Sequence, residues 1–232
     1  MKIYAISDLH ISTNSNKPMD VFGGNWVGYL DKIIEDWKDK VSDDDIVLIG
    51  GDISWAMDID CAIEDIKILS ELKGKKVIIR GNHDYWWKGI TRVRDNLPEN
   101  FYALQNDFLR FDNIIICGSR CWSTPGSPDF KEQDMKIYLR ETERLKLSIK
   151  SATRERGEND KLIALIHYPP FNVRREDSNF TQIFEEFKVD SVVYGHLHGK
   201  NVRSDKLVIK NDIKYYLTSC DQVDNKLVEI NL

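Results

Sequence analysis

An α/β fold, made of β-sheet covered by helices, is what this sequence predicts, and three observations predict it. Short apolar runs alternate with amphipathic stretches through most of the chain. Those runs are near-continuous, the pattern of strands buried on both faces. From residue 207 onward the sequence reads as strands separated by turn residues, so either one sheet carries a mixed edge or two sheets pack together. At 232 residues the chain can bury a sizeable core. It shows no internal repeat, low-complexity tract or interdomain linker, so we expect one domain over residues 1–232.

The elements follow in order. Residues 2–7 (KIYAIS) form the first expected strand. Residues 45–50 (DIVLIG), 76–80 (KVIIR), 113–118 (NIIICG), 161–166 (KLIALI) and 191–194 (SVVY) form the next five. Between the first pair, Trp26, Leu30, Ile33, Ile34 and Trp37 fall at helical spacing. Ile59, Ala62, Ile63, Ile66, Leu69 and Leu72 do so between the second pair. Residues 131–156 are charged, with Ile137, Leu145 and Ile149 inside, and read as a long surface helix followed by a loop at 157–160. In the tail, strands at 207–209, 214–218 and 227–230 are separated by Asn211-Asp212 and Asp224-Asn225.

Composition narrows the function. Acidic residues number 38 against 33 basic, a net charge of -5, which gives no general attraction to nucleic acid or an anionic membrane. No run approaches the ~18 apolar residues of a membrane span. The N-terminus has no small-residue cleavage site, so it does not read as a signal peptide. Cys61, Cys117, Cys121 and Cys220 make no zinc-ribbon spacing and suit reduced thiols in a cytoplasm. A cytoplasmic protein is the expectation.

The polar residues at strand ends are more specific. The chain has 5 histidines, and each follows an expected strand within a few residues. The first strand runs into Asp8-Leu9-His10, the second into Gly51-Asp52, the third into Gly81-Asn82-His83-Asp84. The 161–166 strand ends in His167, and the 191–194 strand in Gly195-His196-Leu197-His198. In a mostly parallel sheet these positions share one edge, the one where α/β folds bind ligands. Taken singly, Asp8 and Asp52 read as helix N-caps and Asn82 as a turn residue. That reading leaves unexplained why every histidine sits at a strand end. Imidazole and carboxylate without thiolate suit Mn, Fe, Zn, Ni or Co. Too many such groups converge for one ion, and one aspartate with two oxygens can bridge a pair about 3.5–4 Å apart.

In order and approximate spacing, Asp8-x-His10, Gly51-Asp52, Gly81-Asn82-His83-Asp84, His167 and Gly195-His196-x-His198 resemble the full signature of the calcineurin-like metallophosphoesterases. The resemblance implies a four-layer αββα sandwich of two mixed sheets, with two metal ions, Mn or Fe favoured. It implies that Asp8, His10 and His198 hold the first metal, Asn82, His167 and His196 the second, and that Asp52 bridges them. It implies that His83 faces the phosphate and assists the leaving group, with Asp84 orienting its ring. The chemistry so implied is in-line attack on phosphorus by a metal-bound hydroxide, in a phosphomonoester or phosphodiester.

Substrate signals are weaker. Trp55, Trp86, Trp87 and Trp122 also follow strand ends, where they either stack on a substrate or, the reading we favour, pack the first turns of helices. Arg120 and Trp122 are the candidate substrate contacts, Arg120 for its planar fork. Arg174 and Arg175 read as solvated loop charges, as do Lys200, Arg203 and Lys206 with Asp205 among them. The expected partner is a small phosphoester or nucleotide. A nuclease is disfavoured by the acidic balance. A protein-binding scaffold on this fold is disfavoured by the presence of His83, which the scaffold relative lacks.

Overall fold

The computed structural model describes residues 1–13, 19–200, 202 and 204–232. Two mixed sheets stack face to face. In the first, β1 (Ile3–Ile6), β2 (Ile46–Ile49), β3 (Lys75–Ile79) and β4 (Phe101–Leu104) are parallel, and the short β11 (Val228–Glu229) pairs antiparallel with β1. In the second, β6 (Ile114–Cys117), β7 (Lys161–Leu165), β8 (Ser191–Tyr194) and β10 (Ile213–Leu217) are parallel. Antiparallel strands β5 (Phe108–Phe111) and β9 (Leu207–Lys210) form its edges.

Strand pleating explains why the apolar runs are continuous. Successive side chains point to opposite faces, and here both faces are buried. Ile3, Ala5, Ile46, Leu48 and Val77 meet Ile114, Ile116, Ile163, Leu165 and Val193 between the sheets. Their neighbours Tyr4, Ile6, Val47, Ile49 and Ile78 pack outward against α1 (Tyr29–Lys40), α2 (Ile59–Ser70) and α3 (Ile90–Asn96). On the other side Ile115, Leu162, Ala164 and Val192 pack against α4 (Met135–Arg154) and α5 (Asn179–Glu186). The result is the four-layer αββα sandwich. Burying each such aliphatic side chain is worth roughly 1.5–3 kcal/mol, so the three apolar layers supply the driving force that holds the sheets together.

Local signals account for most boundaries. Asp58 caps α2 by accepting from Cys61 N at 3.0 Å. Asn211 and Asp212 both take positive φ, 51° and 62°, and make the tight turn between β9 and β10. Other details depart from expectation. Trp26 belongs to a 3₁₀ turn, Gly24–Trp26, ahead of α1. The 131–156 segment opens with a 3₁₀ turn before α4, and α4 buries Glu141, Thr142 and Ser148 as well as its apolar face, so it is not a mere surface helix. Strands β4 and β5 and helices α3 and α5 add to the elements expected from the sequence. Among the described residues no helix is long and apolar enough to cross a membrane.

One strand residue is out of keeping with its surroundings. The Lys76 side chain is fully buried under α1 and α2, with its ammonium 5.9 Å from the Trp37 ring and 5.7 Å from the Phe101 ring, donating to the Leu72 carbonyl. Burial pushes its pKa down to about 8. The unfolded chain, with an ordinary lysine, therefore binds more protons than the native state from about pH 8 up to 10.5. Stability should rise with pH through that window and show no such gain below it. Lys76→Met should remove this component. Denaturant midpoints of both proteins between pH 7 and 10 check it, and parallel pH curves would contradict it.

Candidate metal centre

The carboxyl ends of the parallel strands in both sheets open onto one edge. There the sheets are joined by backbone: Ser7 N donates to Thr218 O (2.8 Å) and Cys220 N donates to Ser7 O (3.0 Å). The loops after β1, β2 and β3 thus face the loops after β7 and β8. Backbone at this edge is bent sharply. Asp8, His10, Asp52 and His196 all have φ between 47° and 69°, a region that costs a non-glycine residue on the order of 1 kcal/mol or more. Such strain persists because the neighbouring hydrogen bonds over-determine these turns.

Asp8, His10, Asp52 and His198 form the first cluster, each offering a ligand atom within 4.8 Å of the others. Asp8 is aimed by Ser7 Oγ (2.8 Å) and Ser219 Oγ (2.7 Å), both donating to its Oδ2, and by His196 N donating at 2.9 Å. His10 Nε2 lies 3.4 Å from His198 Nε2. Its ring is stacked on Trp55 with centroids 4.7 Å apart, and the Trp26 ring is tilted against it at 6.2 Å.

Asn82, His167 and His196 form a second cluster. Asn82 Oδ1 is 2.7 Å from His167 Nε2 and 2.9 Å from His196 Nδ1. His167 Nδ1 lies 2.8 Å from the Gly50 carbonyl oxygen, to which it donates, leaving the Nε2 lone pair facing the cluster. Two acceptors, Asn82 Oδ1 and His167 Nε2, then confront one another, an arrangement that a shared cation satisfies. Asp52 stands between the clusters. Its Oδ1 accepts from His83 N (2.8 Å), while its buried Oδ2 has no hydrogen-bond partner and lies 3.8 Å from His10 Nε2 and 3.5 Å from His167 Nε2.

The electrostatics fit a cation. Burial, with Asp84 and Asp8 nearby, holds the Asp52 carboxyl well above the usual carboxylate range. Burial and the surrounding imidazoles push His10 well down and His196 down to about 2. Neutral imidazoles with free lone pairs and a carboxylate that resists ionising alone are groups that a bound metal stabilises. An unpartnered buried carboxylate oxygen is otherwise costly.

His83 is half-buried beside this cage, 4.6 Å from the Trp55 ring and 5.6 Å from the His10 ring. Its Nδ1 is 3.5 Å from Tyr85 Oη. The expected Asp84–His83 ring contact is not what the structure shows. Asp84 accepts from Asp52 N (2.9 Å), Ile53 N (2.9 Å), Gly81 N (2.7 Å) and Trp86 Nε1 (3.0 Å), which occupies both oxygens. Its role is corrected to anchoring the loops after β2 and β3 to each other.

The remaining candidates divide. Trp86 and Trp87 are buried core residues, as favoured, whereas Trp55 lies against the site. Trp122 packs on Tyr168, which packs on His196 with centroids 4.1 Å apart, and the Arg120 guanidinium lies over the Trp122 ring at 4.8 Å. Arg174 pairs with Glu176 and Arg175 with Asp205 on the surface, and Lys206 pairs with Asp224. Arg203 lies outside the described residues. A cavity of about 660 Å³ opens beside His196, walled by Phe171, Val173 and Leu197, with Asp129, Asn172 and Arg175 among its polar groups. Sequence reasoning missed Ser219 and Tyr168 at the site, since only the junction of the sheets brings Ser219 to Asp8. All four cysteines are free.

Asp52→Asn should lose metal, because a neutral amide replaces the anion between the clusters. Gly81→Ala should lose it too: a Cβ there falls inside van der Waals distance of Asp52 Oδ1 and Asp52 N. Element analysis of folded variants, with fold checked by circular dichroism, tests both. Full metal content in either would contradict the geometry.

Comparison with solved structures places the chain among proteins of the same fold at low identity. A protein of unknown function from Aquifex aeolicus aligns at 15% identity with a TM-score of 0.54, covering 98% of this chain and 95% of that one. A phosphopantetheinyl hydrolase from Mycobacterium tuberculosis aligns at 13% identity with a TM-score of 0.56, covering 99% and 95%. A protein from Thermus thermophilus aligns at 13% identity with a TM-score of 0.56, covering 99% and 97%. No curated protein matches the chain. Residues 1–200 match the family model of the calcineurin-like phosphoesterases. With its clusters at the carboxyl edge of two stacked sheets, this chain belongs to the calcineurin-like phosphoesterases, metal-dependent enzymes that hydrolyse phosphoester bonds.

Proposed function

We propose that this enzyme hydrolyses a small phosphomonoester or phosphodiester, such as a nucleotide, at a dinuclear metal site. The observation that carries this reading is Asp52 Oδ2, buried and without a hydrogen bond between His10 and His167. In this reading Asp8, His10 and His198 would hold one ion, Asn82, His167 and His196 the other, and Asp52 would serve both. The donor set of imidazole, carboxylate and amide suits Mn, Fe, Zn, Ni or Co, and the family resemblance favours Mn or Fe among them. Such ions, when bound, neutralise phosphoryl oxygens and make water a nucleophile at neutral pH.

The chain's own groups do the rest. Asp8 and Asp52 fix the charge of the site, and their buried hydrogen bonds hold it in place before substrate arrives. His83, at the rim beside Trp55, would give a proton to the leaving oxygen. Its pKa is lowered overall, by burial first and then by His198 and His167, against a smaller raising effect of Asp84 and Asp8. An arriving phosphate adds negative charge and favours the protonated ring. The half-apolar cavity beside His196 takes the group attached to the phosphate.

With Mn²⁺ added, the protein should hydrolyse members of a panel of phosphomonoesters, cyclic nucleotides and chromogenic phosphodiesters, and a chelator should abolish turnover. A blank across the panel would sink the reading. His83→Ala should keep its metal and lose about 10²–10⁴-fold in kcat, the usual range for a positioned acid. Wild-type turnover in the metal-replete variant would remove His83 from the mechanism.

A further inference from the structure

A second cavity, of about 420 Å³, is lined by Arg120, whose guanidinium also lies over the Trp122 ring, and it is basic. Arg80, Lys88, Arg120, Arg140 and Arg144 line it with a single carboxylate, Glu141. Glu141 is already engaged, by Arg144 at 2.7 Å and Arg140 at 3.7 Å. Among the described residues, Arg80, Lys88 and Arg120 have no carboxylate partner, and the buried Arg80 Nε has no acceptor. Five cations lining one cavity repel one another, and the single carboxylate Glu141 offsets only part of that charge. Burial is the main cause that lowers the Arg120 pKa; Glu141 and Tyr168 oppose it, and Arg80 and Arg140 add smaller lowering contributions.

Two lining residues link the cavity to the loops of the metal clusters. Arg80 begins the loop that carries Asn82, and the Arg120 carbonyl accepts from His167 N (3.2 Å) and Tyr168 N (3.1 Å). We propose that Arg80, Lys88, Arg120 and Arg140 form a subsite for a second phosphate of the substrate, so that the preferred substrate carries a phosphate besides the one cleaved. Guanidinium forks match phosphate oxygens in pairs, and several arginines with one already-paired acid are the composition of a phosphate site. A bounded cavity suits a small multiply phosphorylated molecule, whereas a single strand of nucleic acid needs a basic groove along its backbone. This inference rests on the reading of the enzyme as a small-molecule phosphoesterase, and the experiment has an arm that does not.

That arm is binding. Chelator-treated protein is titrated calorimetrically with inorganic pyrophosphate. Wild type should bind, more weakly as salt rises, and Arg80→Gln and Arg140→Gln should each weaken binding at least fivefold. Both spare the Arg144–Glu141 pair, so the buried acid keeps its partner. No binding, or equal affinity in all three proteins, overturns the subsite whatever the enzyme cleaves. The kinetic arm compares thymidine 5′-(p-nitrophenyl phosphate) with the same compound bearing a 3′-phosphate, on the Mn²⁺-loaded enzyme. The added phosphate should raise kcat/KM at least tenfold, chiefly through KM, and the two variants should erase that ratio. Pyrophosphate binding without this gain would assign the cavity to a free anionic effector and overturn its role in substrate choice. Preference for a single-stranded oligonucleotide over both compounds would overturn it in favour of nucleic acid. Absence of turnover on either compound counts against the proposed function and leaves the binding arm to decide the subsite.

Discussion

Two backbone hydrogen bonds at Ser7, one from its own amide to Thr218 and one from Cys220 to its carbonyl, set the rest of the site. Each sheet alone carries an incomplete set of donors. The first supplies Asp8, His10, Asp52 and Asn82, the second His167, His196 and His198, and neither half encloses a cation. The junction at Ser7 fixes how far the first sheet slides along the second, and so whether Asp8 lies under His196 and Asp52 beside His167. The apolar layer between the sheets supplies the adhesion but little register, because hydrophobic contact is non-directional. Direction comes from these hydrogen bonds and from the Ser219 hydroxyl on Asp8.

Gathering such groups at one edge has a cost. Buried carboxylates, imidazoles driven neutral and left-handed backbone at four donor residues all oppose folding. The fold offsets this with three apolar layers and with hydrogen bonds to the carboxylates from Ser7, Ser219, His83 N and His196 N. An ion that matches these donors stabilises the carboxylates and neutral imidazoles it binds, so metal binding and folding are coupled.

The donors are legible in the sequence for a topological reason. A parallel strand buried on both faces is a short aliphatic run, and the residue that follows it must lie at the ligand-binding edge. His10, Asp52, His167 and His196 are each found by that rule. What escapes it is set by tertiary context. Strands β4 and β5 are four-residue edge strands; the run of β4 is bounded by polar residues close on either side, and that of β5 is interrupted by Arg110. Helix α3 buries only Val93 and gives no stripe to read. Helix α5 does carry a signal, Ser178 capping ahead of Phe180, Ile183 and Phe184, which the absence of a long pattern obscures. The partner of a carboxylate cannot be read from spacing, so Asp84 is assigned to the adjacent histidine when it serves two loops.

That last misplacement bears on how the Gly81-Asn82-His83-Asp84 stretch is to be understood. Its four neighbours divide the labour: a residue without a side chain leaves room for Asp52, an amide faces the second cluster, an imidazole sits at the rim and a carboxylate ties down the chain. Asp84 is thus a keystone for two turns, bonded to backbone amides and the Trp86 ring. A protein altered there would lose turnover through a collapsed scaffold, and inactivity alone would be no sign that a proton had ever passed through that acid.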